Sequence, residues 1–264
     1  MSSFILIWTA LPSPTGVWAL WCRSGISRAF GPLCLRAVCS LWPAADRRLV
    51  FSSFFRVWRS TPLVCGNGSV IYDPAEQQVL RKTCLPADYK CACVSYFLTH
   101  PEVWIVAADE TRIWQIVSGD PARDDQLNDW PRVSIEDFLS GDYVKVVYIL
   151  AEGGDMEALK HEVAALPGAE LVTGAQSGPR YLEMVDHTVS KGVGIRQALA
   201  AAGLEKRTLV CIGDYFNDES MLRQADIAAC PSNAAQGIQE ICQLITCSNN
   251  DGAVADLIEQ LGLA

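Results

Sequence analysis

Residues 1–60 of this 264-residue chain contain no lysine, no glutamate and a single aspartate, Asp46. Seven arginines put that stretch at +6, so residues 61–264 carry −15 within an overall formal charge of −9. That acidic balance excludes broad affinity for nucleic acid or anionic membrane, though it leaves room for a local basic pocket that holds a phosphate. Cysteine pairs at zinc-ribbon or thioredoxin spacing are missing too: the closest pair among eleven is Cys91 and Cys93. Cys65, Cys211 and Cys230 lie in apolar runs, which reads as reduced thiols packed in a cytoplasmic protein rather than a disulfide frame. An uninterrupted membrane-length run is also lacking. The apolar opening MSSFILIWTALPSPTGVWALWC has no basic start and is broken by Pro12, Pro14 and Gly16, short of the ~20 residues a span needs. With half of its residues apolar, the chain is not disordered, and it is long enough for one large or two modest domains.

The first 60 residues hold five of the eight tryptophans and show no sustained period of 3.6 or 2. We read them as an anomalous segment standing in place of the first core strands, either a genuine extension or the product of a reading frame disturbed upstream of Thr61. From Thr61 the pattern becomes regular. TPLVCGNGSVIYD predicts strands at 63–65 and 69–72 around a Gly-Asn-Gly turn at 66–68. The middle mixes strands (103–108, 112–117, 144–150) with a helix at 155–166, and the DET turn at 109–111 implies an antiparallel pair. That combination predicts a separate α+β module over residues 84–183. The remainder alternates: strand 181–186, a helix over 191–203 capped by Ser190, strand 208–212, helix 217–225, strand 227–230, helix 233–242, strand 244–246 and helix 252–262. Alternation of this kind predicts an α/β core with a parallel sheet, formed by residues 61–83 and 184–264, whose ligands bind beyond the carboxyl ends of the strands.

At one such end lies VCIGDYFNDESML, with Asp214, Asn217 and Asp218. Two carboxylates four residues apart on a strand-to-helix turn suit Mg²⁺, which keeps several waters and completes its shell with a substrate phosphate oxygen. The alternative is structural, with Asp214 ending the strand and Asn217 or Asp218 capping the next helix. Lys191 favours the first reading. A lysine in the first turn of a helix opposes the dipole at a cost of about 0.3–1 kcal/mol, whereas a phosphate there would be held by backbone N–H groups and ammonium together.

The runs SGPRYLEMVDHTVSKGVGIRQALAAAGL and IGDYFNDESMLRQADIAACPSNAAQGIQEICQLITCSNNDGAVADLIEQL resemble the C-terminal part of the haloacid dehalogenase-like superfamily, in its Cof-type sugar-phosphatase branch. CGNGSVIYD is similar to the Asn-Gly turn that precedes the cap domain in that branch, so the resemblance covers about Pro62 to Leu263. It implies a Rossmann-like core with an inserted α+β cap, and a Mg²⁺-dependent phosphatase acting on small phosphorylated metabolites, with no nucleic-acid or membrane partner. By motif position it implies Asp214 as a magnesium ligand and Asp218 as a ligand or its support. Asn217 would orient the phosphate, Lys191 would neutralise the nucleophile and the phosphoryl oxygens, and Asn67 would face the same cleft. The family's nucleophilic aspartate belongs to a DxDGT-like motif, and nothing of that kind occurs here: after Asp46 the next aspartate is Asp73. Ser52 or Ser53 in VFSS could imitate the family's Ser/Thr-bearing strand but lies too near Cys65. The expectation is therefore a chain with little or no turnover and a sheet weakened by a missing central strand. Other readings are a non-catalytic module that binds a phosphorylated ligand, a non-functional gene product, and a protein anchored by an apolar N-terminal arm. In the middle module, Trp104, Trp114, Trp130, Tyr143 and Arg180 could contact a leaving group, with Arg180 the foremost.

Overall fold

The computed structural model describes residues 4–9, 34–39, 62–73, 75–127 and 130–262. The chain divides into two compact units, Met1–Leu80 with Lys191–Ala264, and Arg81–Ser190.

The first unit carries a sheet of strands β1 (Phe4–Thr9), β2 (Cys34–Cys39), β3 (Leu63–Cys65), β4 (Val70–Asp73), β5 (Gln78–Lys82), β12 (Thr208–Ile212), β13 (Ile227–Pro231) and β14 (Leu244–Thr246). Their order is β14-β13-β12-β1-β2-β3-β4-β5. Pairing is parallel from β14 through to β3, and β3–β4 is an antiparallel hairpin that pairs Leu63 with Tyr72. Helices α5 (Lys191–Ala201), α6 (Glu219–Leu222), α7 (Gln236–Gln239) and α8 (Ala253–Gln260) flank it. Alternate residues of β12 and β13 point to opposite faces. Leu209, Cys211, Ala228 and Cys230 pack with Ile195, Leu199, Met221 and Ile238, while Val210, Ile212 and Ala229 pack with Leu257 and Ile258. A strand covered on both faces needs apolar side chains throughout, which is why TLVCI reads as an unbroken run. This is a Rossmann-like α/β core.

One expectation is overturned. The central position of the sheet is filled: FILIWT forms β1, with Phe4 paired to Thr208 and Trp8 to Ile212, and CLRAVC forms β2. The absence of a hydrophobic period misleads here, because periodicity alone cannot tell whether a short continuous apolar run is a strand. VFSS at 50–53 lies outside the described residues.

Elsewhere the predicted strands fall within a residue or so of their places, and two helices shorten. Residues 216–218 form a 3₁₀ turn leading into α6. The helix expected from 233 begins only at Gln236, because Ala235 is extended (φ −56°, ψ 140°) and its N–H donates to the carbonyl of Asp214 at 3.0 Å. Cys65 is buried, Cys211 and Cys230 are buried free thiols, and burial pushes the Cys211 thiol well up.

The second unit holds a six-stranded sheet of β6 (Val103–Ala108), β7 (Ile113–Ile116), β8 (Arg132–Val133), β9 (Lys145–Leu150), β10 (Val172–Gly178) and β11 (Tyr181–Asp186), in the order β10-β11-β9-β6-β7-β8. β6 and β7 pair antiparallel across the DET turn, whose Asp109 accepts from the N–H groups of Thr111 and Arg112. Helices α1 (Ala87–Thr99), α2 (Pro121–Asp124), α3 (Ile135–Ser140) and α4 (Met156–Ala164) complete it. Helix α1, not singled out by the sequence reading, buries Tyr89, Cys93 and Phe97, four residues apart, against Ile105 and Tyr148. The Tyr148 hydroxyl donates to Cys93 Sγ at 3.0 Å and lies 3.1 Å from that of Tyr89. Arg180, proposed above to meet a leaving group, donates its Nε–H to the Leu150 carbonyl at 2.6 Å, which gives it a backbone role within this unit. Trp104 donates to the Arg123 carbonyl, and Trp114 to Asp109.

α5 and the Gly-Asn-Gly turn approach closely. A Cβ at Gly194 would lie 2.5 Å from Val64 Cγ1 and 2.8 Å from the Gly68 Cα. Gly194→Ala should therefore cost about 1–3 kcal/mol, read as a lower midpoint in chemical denaturation with an unchanged slope. A midpoint equal to that of the parent chain would refute the packing described.

Candidate active site

The turn after β12 folds back on itself through one carboxylate. Asp218, 1% exposed, accepts from Lys191 Nζ at 2.5 Å through Oδ1 and from the Asp214 backbone N–H at 3.0 Å through Oδ2. The glycine before Asp214 makes this possible: a Cβ at Gly213 would stand 2.5 Å from Asp218 Cβ and 2.6 Å from its Oδ2. Lys191 is equally buried, at 1%, and comes from the first turn of α5. α5 and the turn that opens α6 are pressed together because Gly192 has no side chain. A Cβ there would lie 2.4 Å from the Ser220 carbonyl oxygen. The Gly192 N–H donates to Ser220 Oγ at 3.1 Å, so that N–H serves the fold rather than an anion.

Lys191 and Asp214 thus flank the same carboxylate at the carboxyl end of β12. Asn67 is 5% exposed and adopts the left-handed conformation (φ 58°, ψ 25°) in the turn Gly66–Gly68, which packs on α5 three residues from Lys191. Asn217 is half-buried in the 3₁₀ turn between the two aspartates. All five residues singled out from sequence therefore belong to one unit. Three sit on the β12 turn, Lys191 is bonded to it, and Asn67 is on the neighbouring loop.

Burial, and then the charge of Asp218, push the Asp214 carboxyl up to about 7. A carboxylate whose ionisation is opposed in this way is what a divalent cation would relieve, and its hard oxygens match Mg²⁺. Asp218 has both oxygens engaged within the protein, which suits the support of a site better than direct ligation. No cluster of three or more His, Cys, Asp or Glu side chains able to hold a metal occurs among the described residues. Protein oxygens here would therefore fill only part of a Mg²⁺ shell, in keeping with that ion's habit of retaining water.

Two residues of this neighbourhood escape the sequence reading. Asn249 donates from Nδ2 to Asp214 Oδ2 at 3.5 Å, and it is bonded in turn to Asn233. Both lie in the SNA and SN-x-x-DG turns that contribute to the resemblance, but nothing in a turn motif tells which carboxylate it will face.

The haloacid dehalogenase-like hydrolase family matches residues 50–258. The chain belongs to this family. Among curated relatives it is 33% identical over 110 residues to YxeH of Bacillus subtilis, an alignment covering 41% of each chain. It is 22% identical, over 90% of each chain, to the 5-amino-6-(5-phospho-D-ribitylamino)uracil phosphatase YwtE of the same species. Thus the first of these matches spans well under half of its relative's length. The fold of the whole chain is similar to that of the HAD subclass IIB sugar phosphatase BT4131, with a TM-score of 0.79 at 15% identity and full coverage of both chains. It is also similar to that of SMU.1108c from Streptococcus mutans, with a TM-score of 0.75 at 16% identity over 98% and 99% of the two chains.

The buried pair sets the first expectation. Lys191→Met leaves Asp218 charged and uncompensated in the core and should cost about 3–5 kcal/mol. The double variant Lys191→Met/Asp218→Leu should recover part of that loss, as measured by denaturation; equal stability of Lys191→Met and the parent chain would contradict the pairing. A second expectation concerns pH. Asp214 binds its proton more tightly folded than unfolded, so its contribution to stability is full below the unfolded pKa near 3.8 and is lost as pH rises through about 7. In metal-free protein, Asp214→Asn should raise the Tm at pH 8, by roughly 2–4 °C for each kcal/mol of relieved strain, and change it little at pH 4. A Tm at pH 8 no higher than that of the parent would overturn this.

Proposed function

We propose that the chain is built as a Mg²⁺-dependent phosphoric monoester hydrolase of the cytoplasm, for small phosphorylated metabolites such as sugar phosphates, and that its turnover is impaired. The reading rests on the cluster Lys191–Asp218–Asp214 at the carboxyl end of β12, the place where α/β sheets bind ligands. In this reading Asp214 holds the cation, and Asp218 fixes Lys191 in place so that its ammonium balances phosphoryl oxygens. Asn217 orients the phosphate and Asn67 borders the same cleft. When bound, Mg²⁺ would supply charge compensation for the transferring group. Phosphoryl transfer depends mainly on such positioning, and these residues provide it.

The attacking group is what the chain lacks. β1 runs parallel beside β12 with Trp8 opposite Ile212, so its end is level with Gly213 and Asp214. The strand ends at Thr9, and no carboxylate occurs in the sequence before Asp46. Loss of a covalent nucleophile costs on the order of 10⁴–10⁶ in rate. The substrate class is supported by relatives whose names specify a phosphorylated ribitylaminouracil and by a structural neighbour named a sugar phosphatase.

With p-nitrophenyl phosphate and Mg²⁺, the full chain should show turnover near the uncatalysed background, while calorimetry detects Mg²⁺-dependent binding of a sugar phosphate that Lys191→Met abolishes. Turnover well above background that Asp214→Ala removes would show that the chain has an attacking group this reading denies it. Absence of any phosphate binding would overturn the site itself.

A further inference from the structure

The turns after β13 and β14 are joined by a reciprocal amide pair. Asn233 donates from Nδ2 to Asn249 Oδ1 at 2.9 Å, and the Asn249 backbone N–H donates to Asn233 Oδ1 at 3.0 Å. This fixes the amide of Asn249: with its oxygen facing Asn233, its Nδ2 is the atom that lies 3.5 Å from Asp214 Oδ2. The distance is at the long end of hydrogen bonding, so the contact orients more than it binds. Both turns are anchored independently. The Cys247 N–H donates to Asp256 Oδ2 at 2.6 Å, and the Ser232 N–H donates to the Thr246 carbonyl at 3.0 Å. Asp214 is held from the β13 side as well, since its carbonyl accepts from the Ala235 N–H. Three consecutive carboxyl-end loops, after β12, β13 and β14, are therefore laced together at a single aspartate.

We propose that Asn249, locked by Asn233, is a positioning residue that engages Oδ2 of Asp214 and so leaves Oδ1 as the oxygen offered to the divalent cation. The inference rests on the reading of Asp214 as a cation ligand and adds to it the outer partner that sets the carboxylate's orientation. Outer partners of this kind change metal affinity on the order of 10–100-fold when removed. Asn233 touches Asn249 and not Asp214, so its influence passes through Asn249 alone. Both asparagines are exposed, and their replacement leaves no buried polar group stranded.

The test is Mn²⁺ binding to the full chain, followed by electron paramagnetic resonance and by competition with Mg²⁺. Asp214→Ala should abolish binding, and Asn249→Ala should weaken it about 10-fold. Asn233→Ala should weaken it less, and the double variant Asn233→Ala/Asn249→Ala should be no weaker than Asn249→Ala. Thermal melts of the metal-free variants should stay close to the parent, which separates positioning from loss of structure. If Asn249→Ala binds within 2-fold of the parent while Asp214→Ala does not bind, or if the two asparagine losses add, the positioning role is overturned and the cation reading survives. If the parent chain binds no Mn²⁺, the cation reading falls and this inference with it.

Discussion

The site is organised by the burial of one carboxylate. Asp218 is almost wholly buried, and it accepts from a lysine of one helix and from a backbone N–H of its own turn. An ion of that kind tolerates little rearrangement, because moving either partner exposes an uncompensated charge in a low-dielectric interior. The glycines follow from this demand. Gly213 leaves room for the Asp218 side chain to reach back, and Gly192 lets α5 approach the α6 turn closely enough for Lys191 to reach its partner. The position of Asp214 is then dictated rather than chosen: its N–H is fixed by Asp218 and its carbonyl by Ala235.

The residues proposed to meet the phosphate also hold the fold together. Lys191 and Asp218 would be required for the first unit to pack even if no substrate ever bound, so their presence alone does not establish turnover. Asp214 is different. Burial and a neighbouring negative charge oppose its ionisation. A carboxyl perturbed in this way at a strand end is a candidate for ligand binding. The composition of the first 60 residues enters at the same place. FILIWT supplies the strand beside β12, and no acidic residue occurs in the sequence before Asp46.

Much of this was legible in the residues. The two strands about the Gly-Asn-Gly turn, the strands flanking the DET turn and the alternation after residue 181 carry their own punctuation in glycine, asparagine and period. The grouping of Lys191, Asp214 and Asp218 followed from their place at a strand end and a helix start. What stayed hidden depended on partners distant in sequence. FILIWT shows no period, and only its pairing with β12 and β2 shows it to be a central strand. The late start of α7 reflects a bond from Ala235 to a carbonyl in another loop, which no local propensity reports. Asn249 looked like turn chemistry, and Arg180 looked like a ligand group, until hydrogen bonds assigned the first to Asp214 and the second to the Leu150 carbonyl.

The pairing of Phe4 with Thr208 and of Trp8 with Ile212 joins segments that lie on either side of the Arg81–Ser190 unit in the sequence. During synthesis β1 can meet β2 early, but it cannot meet β12 until that whole unit has been made. The unit draws its contacts from its own contiguous stretch and can collapse in the interval. The edge of β1 that β12 covers is thus left open to off-pathway association for that time.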